Sequence, residues 1–164
     1  MSGDTSNYNK SVFINCPFDG RYTRIFRAII FCVYDCGFVP RSALEATNEP
    51  DRLTRIKDII RSSCYAVHDL SRAGAYGKKK LARFNMPFEL GLFVGAREFG
   101  DERQKQKSYL VLDIEQYRYQ TFLSDINGID VSPHYNQPRD AILLVRNWLR
   151  HVSEVKHEMP GGSK

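Results

Sequence analysis

Short β-prone runs alternate with amphipathic helical stretches along this chain. That alternation predicts an α/β domain of three layers, a central parallel sheet of about five strands between two layers of helix. Two compositional facts agree. The 164 residues fill one domain and leave no room for two. Hydrophobic residues make up 42% and charged residues 26%, the balance of a globular core rather than of a disordered or collagen-like chain. At this length a core buries roughly 70% of the unfolded surface, so neither a disulfide framework nor a structural metal is required. The longest apolar run, 28–34, is far shorter than the ~20 residues of a membrane span, and no membrane is expected as a partner.

The elements follow in order. Residues 1–10 are polar and are expected to fray, leaving a single domain over 11–156 and a flexible tail over 157–164. Residues 11–16 (SVFINC) read as a strand closed by Pro17, and Asp19-Gly20 marks a turn. Over 24–36 the apolar residues recur with helical spacing, and Gly37 is placed to end the helix. A second strand covers 38–43, followed by a turn at 48–50. Residues 51–63 form an amphipathic helix on Leu53, Ile56, Ile59 and Ile60, and 64–70 (CYAVHDL) a third strand. The long polar stretch 71–83 reads as a loop beside the sheet edge, of the kind that serves as a lid. A helix then spans 85–99, with Asn85 as its cap and Pro87 in its first turn. After a solvated link at 104–107 come a fourth strand at 108–113, a short fifth at 129–131 and a closing helix at 140–155.

Net charge is +5 and the sequence pI near 9.1, a balance that suits a phosphate-bearing ligand. The lysine run at 78–80 is the one concentration of charge, and no nucleic-acid module accompanies it, so nucleic acid is not an expected partner. Cys16, Cys32, Cys36 and Cys64 contain no CxxC pair and have no paired histidines nearby, which argues against zinc or another metal. Free cysteines behind a polar N-terminus point to the reducing cytoplasm. There is no GxGxxG and no GxxxxGK[ST], so a Rossmann or P-loop cradle for a resident nucleotide cofactor is not expected, and no Ser-His-Asp set has a nucleophile elbow.

Ligands of parallel sheets bind beyond the carboxyl ends of the strands. Here those ends carry Asn15-Cys16-Pro17 and Asp19, then Arg41, Ser42 and Glu45, then His68, Asp69 and Ser71, and finally Asp113. Arg41 either meets a phosphate or pairs with Glu45. Alternation along the third strand turns His68 and Asp69 to opposite sides. Tyr117-Arg118-Tyr119 either stacks on a base or packs on the body. Glu89 falls near the first turn of its helix, where unpaired N–H groups favour an ionised carboxylate. Gly91 and Gly95 are expected to let that helix approach the sheet closely and press Glu89 toward the strand ends. A carboxylate fixed there can attack an anomeric carbon or stabilise the cation that develops on a sugar, with Asp69 as a second carboxylate. The plainer roles are charge compensation at a helix end for Glu89, worth about 0.3–1 kcal/mol, and a loop cap for Asp69.

Phe13-Ile14-Asn15-Cys16-Pro17-Phe18, Tyr65 to Ser71 and Asn85-Met86-Pro87-Phe88-Glu89-Leu90-Gly91 occur in that order. The trio, over about residues 11–115, resembles the nucleoside 2-deoxyribosyltransferase superfamily and its bacterial TIR-like relatives. The resemblance implies a flavodoxin-like core, Glu89 as the catalytic carboxylate and Asp69 as the acidic residue of the second motif. It also implies nucleoside contacts near Asn15, Pro17 and Phe18. Asn85-Met86-Pro87-Phe88 is bulkier than the small residues that precede the glutamate in the transferases. Completion of the transferase site by a neighbouring subunit implies a homo-oligomer, and the TIR-like group implies a defence-system partner against phage. The expected activity is cleavage of the N-glycosidic bond of NAD or a nucleotide. The expected site is Glu89 and Asp69 for catalysis, with Asn15, Pro17, Phe18, Asp19, Arg41, Ser71 and Asn85 around the substrate. The alternative is a non-catalytic module that binds a nucleotide signal or assembles with like domains.

Overall fold

A computed structural model describes residues 3–45, 51–74, 83–126 and 128–153, with 3–6 described through the backbone alone. Five strands form one all-parallel sheet: β1 (Ser11–Asn15), β2 (Val39–Arg41), β3 (Tyr65–Asp69), β4 (Ser108–Asp113) and β5 (Val131–Pro133). Their order is β2-β1-β3-β4-β5, the doubly wound flavodoxin-like arrangement. The turn at 48–50, the lysine run at 78–80, most of the expected lid and the tail lie outside the described residues.

Strand alternation decides which helix covers which face. Val12, Ile14, Val67, Leu110 and Leu112 face one layer, α2 (Thr23–Asp35) and α6 (Pro138–Val152), and pack on Ile25, Ile29, Val33, Val145 and Leu149. Phe13 and Ala66 face the other, against Ile56, Ile59 and Ile60 of α3 (Arg52–Ser62) and Phe93 of α4 (Asn85–Phe99). Val111 packs on Met86 and Leu90 of α4. Apolar burial on both sides of the sheet is what parallel strands demand. Among the described residues no helix is long and apolar enough to cross a membrane.

Several local expectations change. Instead of fraying, residues Gly3–Lys10 form a helix, α1. Its anchor is one aromatic: Tyr8 is buried, donates its hydroxyl hydrogen to the Arg103 carbonyl at 2.8 Å and lies under the Arg103 guanidinium at 4.2 Å. The expected link before β4 contains a further turn of helix, α5 (Glu102–Lys105), capped by Asp101 on the Gln104 N–H. The fifth strand begins where its expected range ends, at Val131. The N-cap of α4 is Phe84 and makes no side-chain cap bond, so Asn85 is the first helical residue and not the cap. Nor do the glycines of α4 bring it onto the sheet. A Cβ on Gly91 or Gly95 would meet nothing within 4 Å, because both lie on the outer side of the helix.

Candidate functional site

The strand order reverses between β1 and β3, and an open parallel sheet splays its loops apart at such a point. A cleft of about 140 Å³ opens there. That is close to the roughly 150 Å³ that accommodates a benzene-sized ring in an engineered protein cavity. One wall is the run Asn15 to Phe18 leaving β1. The other is the start of α4, with Asn85, Met86 and Glu89. Arg52 of α3 and Arg83 stand at the rim.

Glu89 is the fifth residue of α4, beyond the reach of the helix's free N–H groups. It is 6% exposed, and among the described residues no donor binds its carboxyl oxygens. Burial pushes its carboxyl up to about 7, against a smaller downward pull from Arg52. This corrects the expectation of a carboxylate held ionised by a helix end: desolvation outweighs the distant dipole. The group is an acid that holds and releases a proton near neutrality.

Beside it, Asn15 is fixed from two sides. Its Nδ2 donates to the Met86 carbonyl at 2.9 Å and to Nδ1 of His68 at 2.8 Å. A carbonyl accepts only, so the amide nitrogen must face inward. His68 Nδ1 is then the acceptor and its proton sits on Nε2, among the rings of Phe13, Phe93 and Tyr109. Burial lowers the His68 pKa to about 3, so the ring stays neutral. With Nδ2 engaged, Asn15 offers the cleft its Oδ1, which among the described residues no group binds. The inner wall thus presents two acceptors, Asn15 Oδ1 and the Glu89 carboxyl, and the rim presents two cations.

Phe18 and Pro17 line this cleft as expected, and Phe18 packs edge-on to Phe26 at 5.5 Å. Asn85 lines it too. Four other residues do not, and each is occupied elsewhere. Asp69 lies on the opposite side of the sheet, fully buried. It accepts from the Tyr22 hydroxyl at 2.5 Å, from His134 Nε2 at 3.0 Å and from the Ser71 N–H at 2.8 Å. Burial pushes its carboxyl up, but the bonds from His134, Ser71 and Tyr22 win and hold it below the ordinary value. The second carboxylate is therefore an internal anchor and does not face the cleft. Ser71 contacts His134 Nε2 at 2.9 Å in the same cluster. Arg41 pairs with Glu45 at 2.9 Å, the second of its two expected roles. Asp19 caps the turn before α2 through the Arg21 and Tyr22 N–H groups, and pairs with Arg72 and Arg83 at 3.3 and 3.4 Å. It acts on the cleft only by holding Arg83. Arg118 binds Asp113 at 3.0 Å and the Leu70 carbonyl at 2.8 Å, and Tyr119 is buried, so that trio packs on the body.

Cys16, read at the end of the first strand, also lines the cleft, whereas sequence reading missed Met86, Arg52 and Arg83. Arg83 stands two residues before the third motif, and Arg52 begins a helix at the same rim, so charge at helix starts was the available signal. Among the described residues no group of three or more His, Cys, Asp or Glu could hold a metal. No family model and no curated protein matches this sequence.

Proposed function

We propose that this protein breaks the N-glycosidic bond of a pyridinium nucleotide, with NAD as the fitting substrate and Glu89 as the catalytic carboxylate. The observation that carries the reading is the polarity of the cleft: a buried carboxyl at the inner wall that no donor binds among the described residues, and two arginines at the rim. A ligand suited to it is cationic and rich in donors at its inner end and anionic at its outer end. A pyridinium riboside phosphate has that polarity. Its flat ring matches the size of the cleft and stacks on Phe18, while Arg52 and Arg83 meet phosphate. Resemblance to the TIR-like and deoxyribosyltransferase proteins supports the same chemistry. An antiphage role with a defence partner belongs to the proposal on that ground alone.

Among the described residues a single carboxylate lines the cleft, and that selects the leaving group. A neutral nucleoside needs a proton delivered to its base while an ionised carboxylate steadies C1′; Glu89 cannot do both at once, and Asp69 is too deeply engaged to supply the proton. Nicotinamide needs none. When the bond from C1′ to the ring nitrogen breaks, the electron pair moves to that nitrogen and the base leaves neutral. Positive charge then develops on C1′ and the ring oxygen, beside Glu89. Water adds to C1′ and passes one proton to the Glu89 carboxylate, which returns it to solvent, giving the free sugar hydroxyl. Arrival of the cationic ring also favours the ionised form of Glu89, since an opposite charge nearby lowers a carboxyl pKa. Asn15 Oδ1 accepts a hydrogen from a ribose hydroxyl or from the carboxamide.

The test is a panel of NAD, nicotinamide mononucleotide, adenosine, inosine and deoxyadenosine, with released base followed by liquid chromatography. Pyridinium substrates should react at least about 100-fold faster than the neutral nucleosides. Equal rates across the panel would contradict the leaving-group argument.

A further inference from the structure

The outer face of α2 carries an apolar patch in open solvent. Phe31 is 62% and Tyr34 76% exposed, and a groove of about 310 Å³ runs beside them over Phe26, Ile30 and Pro40. Charged residues bracket the patch with a definite register. Arg27 lies four residues before Phe31 and Asp35 four residues after it. At 1.5 Å per residue each stands about 6 Å along the axis from Phe31, one turn to either side. Both are exposed, and among the described residues neither makes an ion pair. All other faces of α2 are covered by the sheet and by α6.

We infer that this face is the interface of a two-fold dimer, in which α2 packs antiparallel on α2 of a second copy with Phe31 on the axis. The occupant follows from the charges. A two-fold axis through Phe31 inverts the helix direction, so a residue four positions before the axis comes level with one four positions after it. Arg27 of each copy then meets Asp35 of the other, and the pair is made twice. Tyr34 of the second copy comes level with Ala28, between Arg27 and Ile30, so its ring covers the edge of the groove and lies against the guanidinium. A parallel pairing would instead set Arg27 beside Arg27 and Asp35 beside Asp35, which like-charge repulsion disfavours. Isologous contacts of this kind are the commonest way for a chain to bind itself.

The test is sedimentation velocity of the full chain at about 100 μM with charge-reversed variants. The wild type should sediment as a dimer. Arg27→Asp and Asp35→Arg alone should each raise the dimer dissociation constant at least about 10-fold, and the two combined should restore it. Both positions are exposed, and circular dichroism confirms that each variant is folded. As a second measurement, Phe31→Cys should form an intermolecular disulfide on mild oxidation. Helices packed 8–10 Å apart bring facing Cα atoms within disulfide range, and the four native cysteines are buried. A monomeric wild type, a dimer indifferent to both single reversals, or a double variant that stays monomeric would each overturn the proposal. A monomer would leave the patch to a different protein.

Discussion

At pH 8 the folded protein holds an ionised Glu89 in surroundings that disfavour the charge. Its carboxyl sits near 7 when folded, against 4.5 when unfolded. Between those values the folded state binds a proton that the unfolded state has lost, so the contribution of this group to stability falls as pH rises from about 4.5 to 7. Glu89→Gln removes the penalty. The variant should therefore be more stable than wild type by about 1–3 kcal/mol at pH 8, and no more stable below about pH 4.5, as read by urea unfolding. An equal change at both pH values would mean that packing, and not charge, separates the two proteins. Around this residue the sequence was legible in part. The motif Phe88-Glu89-Leu90-Gly91 drew attention to the carboxylate that lines the cleft, but spacing alone mistook its state. Ionisation depends on how far into the helix the group lies and what excludes water from it, and both are tertiary facts. The same holds for Asn15. Its position at the end of β1 was readable, whereas its fixing by His68 and the Met86 carbonyl needed β3 and α4 in place.

Between elements, the Asp69 cluster joins three parts of the fold. It ties the end of β3 to Tyr22 at the entry of α2 and to His134 beyond β5. Tyr22 and His134 donate to one buried carboxylate oxygen, and Ser71 to the other. Replacing Asp69 by Asn keeps the shape, removes the charge and, whichever way the amide turns, sets its NH2 against at least one donor, the Ser71 N–H in the better orientation. The expected cost is about 2–4 kcal/mol in urea unfolding at pH 7, with kcat/KM changed less than about 10-fold while the protein remains folded. A variant of native stability that had lost turnover would return Asp69 to the catalytic machinery. The elements themselves were largely legible, because apolar periodicity separated α2, α3, α4 and α6 from the strands. Short-range polarity misled at α1, where one buried tyrosine outweighs a polar surface. It also misled at Gly91 and Gly95, where a missing side chain was read as a contact although it faces outward. Lys107 was invisible for a related reason. It lies buried, and its ammonium donates to the carbonyls of Ile60 and Ser63 at the end of α3, a partner that only the fold supplies.

Across the whole molecule, the strand order β2-β1-β3-β4-β5 shapes the candidate site more than any single motif. It opens the cleft between β1 and β3, sends Asn15 and Glu89 to one side of the sheet and buries Asp69 on the other. The alternating pattern foretold a parallel sheet, but the pairing order, and with it the separation of the two carboxylates, is set by contacts far apart in sequence. The cleft and the exposed α2 face also meet. Phe26 borders the groove and packs on Phe18, so a second copy seated there would brace a wall of the site. The central claim is that Glu89, ionised, drives loss of nicotinamide. Its most direct test is the rate of nicotinamide release from NAD between pH 5 and 9, for wild type and Glu89→Gln. For wild type kcat/KM should rise with pH and reach half its maximum near 7, because the free enzyme must lose the Glu89 proton. Glu89→Gln should be at least about 100-fold slower at pH 8 and show no such rise. Equal turnover by the two proteins, or saturable NAD binding by both with no nicotinamide released, would contradict the account.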